Sequence, residues 1–172
     1  MQKQAFTIIE LVIVISVLVI LIGIAIPRMK GMQDAANLAK VRHELATLQS
    51  AVESYYMFST PHAYPYSELN AQPALINASP QIISTYLYDP FCPSASLYCG
   101  FNDNEYGYYG PDFISGAQYY VIYSVGPASQ VWSECTVDSS GHASCQTGNG
   151  PPTSCTPGSP GCPICVTNGT GC

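Results

Sequence analysis

Residues Phe6 to Ile26 read FTIIELVIVISVLVILIGIAI, 21 positions that are apolar or small except for one carboxylate, Glu10. As a helix rising about 1.5 Å per residue, the run spans roughly 30 Å, the thickness of a bilayer's hydrocarbon core. Five residues, MQKQA, precede it. A secretory signal has an apolar core of about 7 to 15 residues followed by a small-x-small cleavage site, and this run is longer. The expected arrangement is a short leader, residues 1–5, ahead of a long apolar helix, residues 6–27.

Glu10 is the informative position. A charge inside a membrane segment costs about 2.5 to 3.5 kcal/mol at mid-depth and is kept only with a partner. With Ala5 before the run, Glu10 four residues after Phe6 and Pro27 closing it, AFTIIELVIVISVLVILIGIAIP resembles the class III signal and N-terminal helix of type IV pilins and type II secretion pseudopilins. The resemblance implies cleavage by a prepilin peptidase after Ala5, where the family usually has glycine, and methylation of the new N-terminus at Phe6. It also implies assembly roles for Glu10, Gly23 and Pro27. Gly23 and Pro27 are where the helix is expected to bend or melt, since proline removes one backbone donor and clashes with the preceding turn, and the resemblance implies the unwinding common to that segment in pilin filaments. A free amine at Phe6 and the Glu10 carboxylate of a neighbouring subunit neutralise each other strongly in a low-dielectric core. The plainer alternative is that Glu10 sits near a helix end and reaches the headgroups.

The chain has 172 residues and a formal charge of −6. All five basic residues, Lys3, Arg28, Lys30, Lys40 and Arg42, fall in the first 42 positions. The head is therefore acidic. Nucleic-acid binding draws most of its affinity from Lys and Arg on phosphates, so nucleic acid is not an expected partner. Eight cysteines lie beyond residue 90: Cys92, Cys99, Cys135, Cys145, Cys155, Cys162, Cys165 and Cys172. An even number in a Gly/Pro-rich region reads as disulfides in an oxidising compartment. The favoured pairs are Cys92 with Cys99 and Cys135 with Cys145, leaving the last four to pair among themselves. Cys162-Pro-Ile-Cys165 has the spacing of a redox or zinc motif. No helix follows to lower a thiol pKa, and outside the cell disulfides precede zinc as the expectation.

From Leu38 the pattern turns one-sided. Leu38, Val41, Leu45, Leu48, Val52 and Tyr55 recur at helical steps, predicting an amphipathic helix over 28–57. Residues 58–80, with four prolines, read as a loop with at most one turn near Ser67 to Leu69. Ser79-Pro80 reads as a cap and first helical position for QIISTYL. Strands are expected at Tyr106–Tyr109, Ala117–Val125, Gln130–Val137 and Ala143–Gln146, the last two joined by a turn at Asp138-Ser-Ser-Gly141. Tyr119, Val121, Tyr123 and Val125 fall on one face. The fold class is therefore α+β: a long helix packed on a small antiparallel head (58–147) of three or four strands. A tail, 148–172, is expected as a disulfide-pinned loop or a flexible end.

A second resemblance follows from His62-Ala-Tyr64-Pro65, Tyr86-Leu-Tyr-Asp89-Pro90-Phe91 and Tyr119-Tyr-Val-Ile-Tyr-Ser124-Val-Gly126-Pro127. These are similar in order to segments of the major pseudopilin of type II secretion, which implies a calcium loop after the glycine. Here Ala128-Ser-Gln follows rather than Asp-Gly, which leaves the calcium site and the subfamily open; no metal ligand and no other cofactor is assigned. Asp103-Asn104-Glu105 offers oxygen ligands for a calcium site, with a solvated loop the commoner outcome, and the scattered histidines form no catalytic set. Asn77-Ala-Ser79 and Asn168-Gly-Thr170 are sequons, and hydroxyl-linked glycan on the Ser/Thr-rich tail stands as an open alternative.

The expected protein is a structural subunit without enzymatic activity. It is inserted in the inner membrane, processed by the peptidase, and polymerised on an inner-membrane assembly platform into an extracellular type IV pilus-like homo-oligomer. A pseudopilin forming a periplasmic filament is the alternative. A soluble secreted protein cut near Gly23-Ile24-Ala25 is the third reading.

Overall fold

The computed structural model describes residues 7–66, 71–92, 105–111, 118–127, 133–147, 153–155 and 162–172. Helix α1 runs Ile8–Phe58. It begins in a capping box. Thr7 Oγ1 accepts from the Glu10 backbone N–H (3.3 Å), and Glu10 Oε2 accepts from the Thr7 N–H (3.0 Å) and hydroxyl (2.9 Å). The helix continues through Gly23 and Pro27 without the melting expected there. The chain divides into two compact units, Met1–Ala36 and Asn37–Cys172.

In the second unit the one-sided stripe is the core. Val41, Leu45 and Val52 are fully buried, and Leu48 nearly so, with Leu38 and Tyr55 half-buried. They pack with Tyr106, Tyr120 and Ile122 from the head. Strands β1 (Gly107–Tyr109), β2 (Val121–Ser124) and β6 (Ile164–Thr167) form one antiparallel sheet with β2 in the middle. Strands β3 (Ser133–Val137), β4 (Ala143–Thr147) and β5 (Thr153–Cys155) form a second. β2 is buried on both faces. Tyr120 and Ile122 meet the helix stripe, while Val121 and Tyr123 meet Cys135, Ala143 and Cys145 of the second sheet. The face expected from Val121 and Tyr123 is thus real, but it is only one of two.

The polar flank of α1 serves the same core. Glu53 accepts from the hydroxyls of Tyr120 (2.7 Å) and Tyr64 (3.1 Å), and Glu44 accepts from Tyr106 (2.6 Å). Burial, reinforced by these carboxylates, pushes the Tyr106 and Tyr120 phenols far above their usual range. Tyr120 is fully buried, so Glu53→Ala strands its hydroxyl. An unmet buried group costs about 1 to 3 kcal/mol. The expected result is a loss of about 2 kcal/mol in urea unfolding, with Glu53→Gln recovering part of it. A loss below about 0.5 kcal/mol would remove Glu53 from the core's support.

Three sequence expectations change. QIISTYL is not a helix; the helix in this region is α2, Ala71–Ile76, which lies inside residues 58–80, the stretch expected to be a loop. The buried Gln72 side chain donates to the Leu87 carbonyl (2.9 Å) and accepts from the Leu87 N–H (2.7 Å). That pairing ties the end of the segment to α2 and outweighs the Ser79-Pro80 start signal. The head has two three-stranded sheets rather than one sheet of three or four strands. The cause is the third change: the region taken as a tail supplies β5 and β6, and β6 occupies the edge of β2. Ile164, Val166 and Thr167 are β-branched and suit a strand despite the surrounding Gly and Pro.

Beyond β6, Asn168 extends the pairing. Its side chain accepts from the Tyr120 N–H (2.9 Å) and donates to the Gln118 carbonyl (2.8 Å). Thr170 then bonds the β3–β4 turn through its N–H to Gly141 and its carbonyl to the Ala143 N–H, 2.7 Å each. A Cβ at Gly169 would collide with the Gly141 carbonyl, so this position needs a glycine. The expected turn is present: Asp138 Oδ1 accepts from the Ser140 and His142 N–H groups, each at 2.9 Å.

Candidate functional site

The first candidate site is the apolar half of α1. From Ile8 to Ile24, 14 large apolar side chains are each 45% exposed or more, from Ile8 (84%) to Val12 (45%). They surround the helix instead of forming a stripe. Ser16, inside the run, returns its hydroxyl to the Val12 carbonyl (2.7 Å). The Glu10 carboxylate is held by Thr7 as described. A helix apolar all round is covered by protein or lipid. Gly23 has open space where a Cβ would be.

Among the described residues no helix is long and apolar enough to cross a membrane. Within the apolar run the helical residues whose side chains are described are Ile8 to Ile24, 17 residues that rise about 26 Å. That is a few ångströms less than a hydrocarbon core. Ala5 and Phe6, the expected processing pair, lie outside the described residues, as does the Pro27 side chain.

The second candidate site is where the pseudopilin-like segments meet. Asp89 is 3% exposed. Its Oδ1 accepts from the Phe91 N–H (2.9 Å) and its Oδ2 from the Val125 N–H (3.0 Å). Ser124, fully buried, also bonds Asp89 and accepts from the Gly126 N–H at 3.2 Å. Gly126 has φ +80°, and a Cβ there would lie 2.9 Å from the Cys162 carbonyl oxygen. Thus the YLYDPF and YSVGP segments are joined by one carboxylate. All the described donors around it are backbone or hydroxyl groups, an arrangement that locks a loop onto the end of β2. Sequence reading found both segments but not their contact, because 36 residues separate Asp89 from Val125. Asp103, Asn104 and the positions after Pro127 lie outside the described residues.

The cysteines form bridges. Cys135–Cys145 joins β3 to β4, as expected, and Cys165–Cys172 ties β6 to the segment after it. Cys92 and Cys162 are also disulfide-bonded. Cys99 lies outside the described residues, so the Cys92–Cys99 expectation does too. Cys155 stands opposite Cys145 in the β4–β5 register.

Proteins of known role match this chain. It is 33% identical over 79 residues to type II secretion system core protein G of Klebsiella pneumoniae, covering 45% of this chain and 54% of that protein. Core protein G of Klebsiella michiganensis is 29% identical over 78 residues, with the same shares. Type IV narrow pilus major component PilA5 of Thermus thermophilus is 45% identical over 51 residues, 30% of this chain and 44% of that protein. The chain spans about half the length of the curated relatives it matches. No family model matches, and no solved structure does. The resemblance read from the N-terminal motif is therefore shown: the chain is similar to pilins and pseudopilins, which are structural filament components.

Proposed function

We propose that this chain is the structural subunit of an extracellular type IV pilus-like filament, polymerised through residues 6–27, and not an enzyme. The observation that carries the reading is the apolar half of α1, whose 14 large side chains are each 45% exposed or more. Removing a Val, Leu or Ile side chain from water is worth about 1.5 to 3 kcal/mol. Such a surface is held first by the inner membrane and then by other copies. Prepilin peptidase cuts after Ala5 and methylates Phe6; an inner-membrane platform then lifts the subunit. Gly23 and Pro27 mark where the helix yields during packing, and residues 28–57 carry the head. Nucleic acid is not a partner.

A periplasmic pseudopilus is the second reading, favoured by the core protein G relatives and by the Asp89–Val125 join between two pseudopilin-like segments. Intact-mass spectrometry separates the two. In filaments sheared from cells at native expression, the main component is expected to be a methylated chain starting at Phe6, and its mass deficit counts the disulfides. The same processed chain confined to the membrane fraction overturns the surface pilus in favour of the pseudopilin. A chain starting near Ile26 overturns both.

A further inference from the structure

The segment after β6 closes the head through a dipeptide, Asn168-Gly169, that the fold cannot exchange. The Asn168 side chain accepts from the Tyr120 N–H (2.9 Å), donates to the Gln118 carbonyl (2.8 Å) and meets the Tyr64 hydroxyl. An amide can both accept and donate; a carboxylate there would turn lone pairs toward the Gln118 oxygen. Position 169 has its own requirement, because a Cβ would collide with the Gly141 carbonyl. The head therefore needs asparagine followed by glycine.

Among asparagine-containing pairs this one deamidates most readily. Glycine has no side chain to hinder approach to its nitrogen and lets the backbone turn freely, so the Gly169 nitrogen can attack Cγ of Asn168. The reaction balances without an oxidant or a second organic substrate. The nitrogen gives its proton to solvent and bonds to Cγ, while the bond from Cγ to the side-chain NH₂ breaks and ammonia leaves. One water then opens the cyclic imide at either carbonyl, giving aspartate or isoaspartate.

In the folded head this chemistry is held off. Cγ cannot turn back onto the Gly169 nitrogen until the amide gives up its bonds to both Gln118 and Tyr120. The Gly169 N–H is itself donated to Thr167 Oγ1 (3.0 Å), Thr170 is bonded to the β3–β4 turn, and the Cys165–Cys172 bridge closes a ring around the dipeptide. Chemistry confined to an opened form proceeds in proportion to how often the segment opens.

The product does not fit where the reactant did. Aspartate at 168 sets a carboxylate against the Gln118 carbonyl and beside the Tyr64 hydroxyl, which also donates to Glu53 (3.1 Å). Two like charges then share one network, and no Lys or Arg follows Arg42 in the sequence to offset them. Isoaspartate lengthens the main chain and displaces Gly169 from its close approach to Gly141.

We propose that Asn168 is a site of spontaneous deamidation gated by closure of the C-terminal segment, so that a head left open is converted irreversibly into one that cannot reclose. The inference concerns the head alone and holds for pilus and pseudopilus alike.

The test follows the full chain in detergent micelles at neutral pH, native or unfolded in guanidinium chloride with a phosphine to open the bridges. Peptide mapping and enzymatic methylation of isoaspartate read the conversion. Asn149-Gly150 is a second such pair in the chain, and in denaturant it reports the unhindered rate. Asn168 should match that rate when unfolded and convert at least about tenfold more slowly in the native chain. In Asn168→Asp, hydrogen exchange of the 164–172 backbone should be at least about tenfold faster than in the wild type. The deamidated fraction of aged wild type, separated by its added negative charge, supplies the same comparison in a chain that has already folded once. Equal native and unfolded rates at Asn168 overturn the gate, and so does an unfolded chain that converts Asn149 but not Asn168. Exchange as slow as in the wild type, in either Asn168→Asp or the aged fraction, overturns the failure to reclose.

Discussion

Asp89→Ala is expected to destabilise the head by about 3 kcal/mol, lowering its thermal midpoint by more than about 10 °C. Removing this carboxylate leaves the N–H groups of Phe91 and Val125 without their acceptor in a region with almost no water access. Each such group costs about 1 to 3 kcal/mol. The Ser124 hydroxyl loses a partner as well. Asp89→Asn should fall between, because one amide oxygen can still accept while the NH₂ group faces a donor. Burial pushes the Asp89 carboxyl above its ordinary value, against the pull of the Phe91 amide, Ser124 and the Val125 amide. The folded state thus holds the proton more tightly than the unfolded state. The part of the stability linked to that extra bound proton is fully present below the unfolded value of about 3.9 and is lost as pH rises through the raised folded value, while the Phe91 and Val125 N–H groups keep their acceptor. Urea midpoints of the wild type and Asp89→Asn, compared from pH 3.5 to 7, should show the wild type's advantage shrinking as pH rises. An advantage that grows with pH would mean the hydrogen bonds outweigh burial.

The long helix was legible because two periodicities meet in it: an unbroken apolar run to Ile26, then a stripe at 3.6 spacing whose members Val41, Leu45, Leu48 and Val52 are all buried. Four strands and the Cys135–Cys145 bridge were legible from alternation and turn chemistry. The rest depended on long-range partners. The Ser79-Pro80 signal is local, and the Gln72 amide overrides it by binding Leu87 from 15 residues away. The strand at Ile164–Thr167 is four residues long inside a segment whose Gly and Pro content argues against any sheet. It exists because β2 needs a second neighbour: without it Val121, Ile122 and Tyr123 would expose one ladder edge. In the same way Glu44 and Glu53 read as the wet side of a helix. Only the positions of Tyr106, Tyr64 and Tyr120 reveal them as acceptors. Glu10 differs: the family resemblance was legible from its place four residues after Phe6, whereas its capping of the helix start with Thr7 entered only with the structure.

Moving that carboxylate one turn along the helix, Glu10→Val with Val14→Glu, keeps composition and charge and should nearly abolish filament incorporation. At position 10 the carboxylate is held by the Thr7 N–H and hydroxyl at the helix start, where the helix dipole favours a negative charge. At position 14 it would stand a turn deeper among side chains that are all apolar apart from Ser16. The cost there is about 2.5 to 3.5 kcal/mol on insertion scales, and losing the cap adds about 1 kcal/mol. Since 1.4 kcal/mol is tenfold, the sheared-filament fraction should fall by about 100-fold or more. Total chain per cell and the Cys135–Cys145 bridge should be unchanged, which keeps a folding failure distinguishable from an assembly failure. Glu10→Gln then separates the two roles of the residue. Glutamine at the third helical position still completes a capping box, so a purely structural cap predicts near-normal filaments from this variant. Pairing of the Glu10 carboxylate with a neighbour's Phe6 amine predicts the opposite, because glutamine leaves that amine charged and unmatched in the filament core. Normal filaments from Glu10→Gln together with none from the relocated carboxylate would assign Glu10 to the cap alone and remove the intersubunit ion pair from the assembly mechanism.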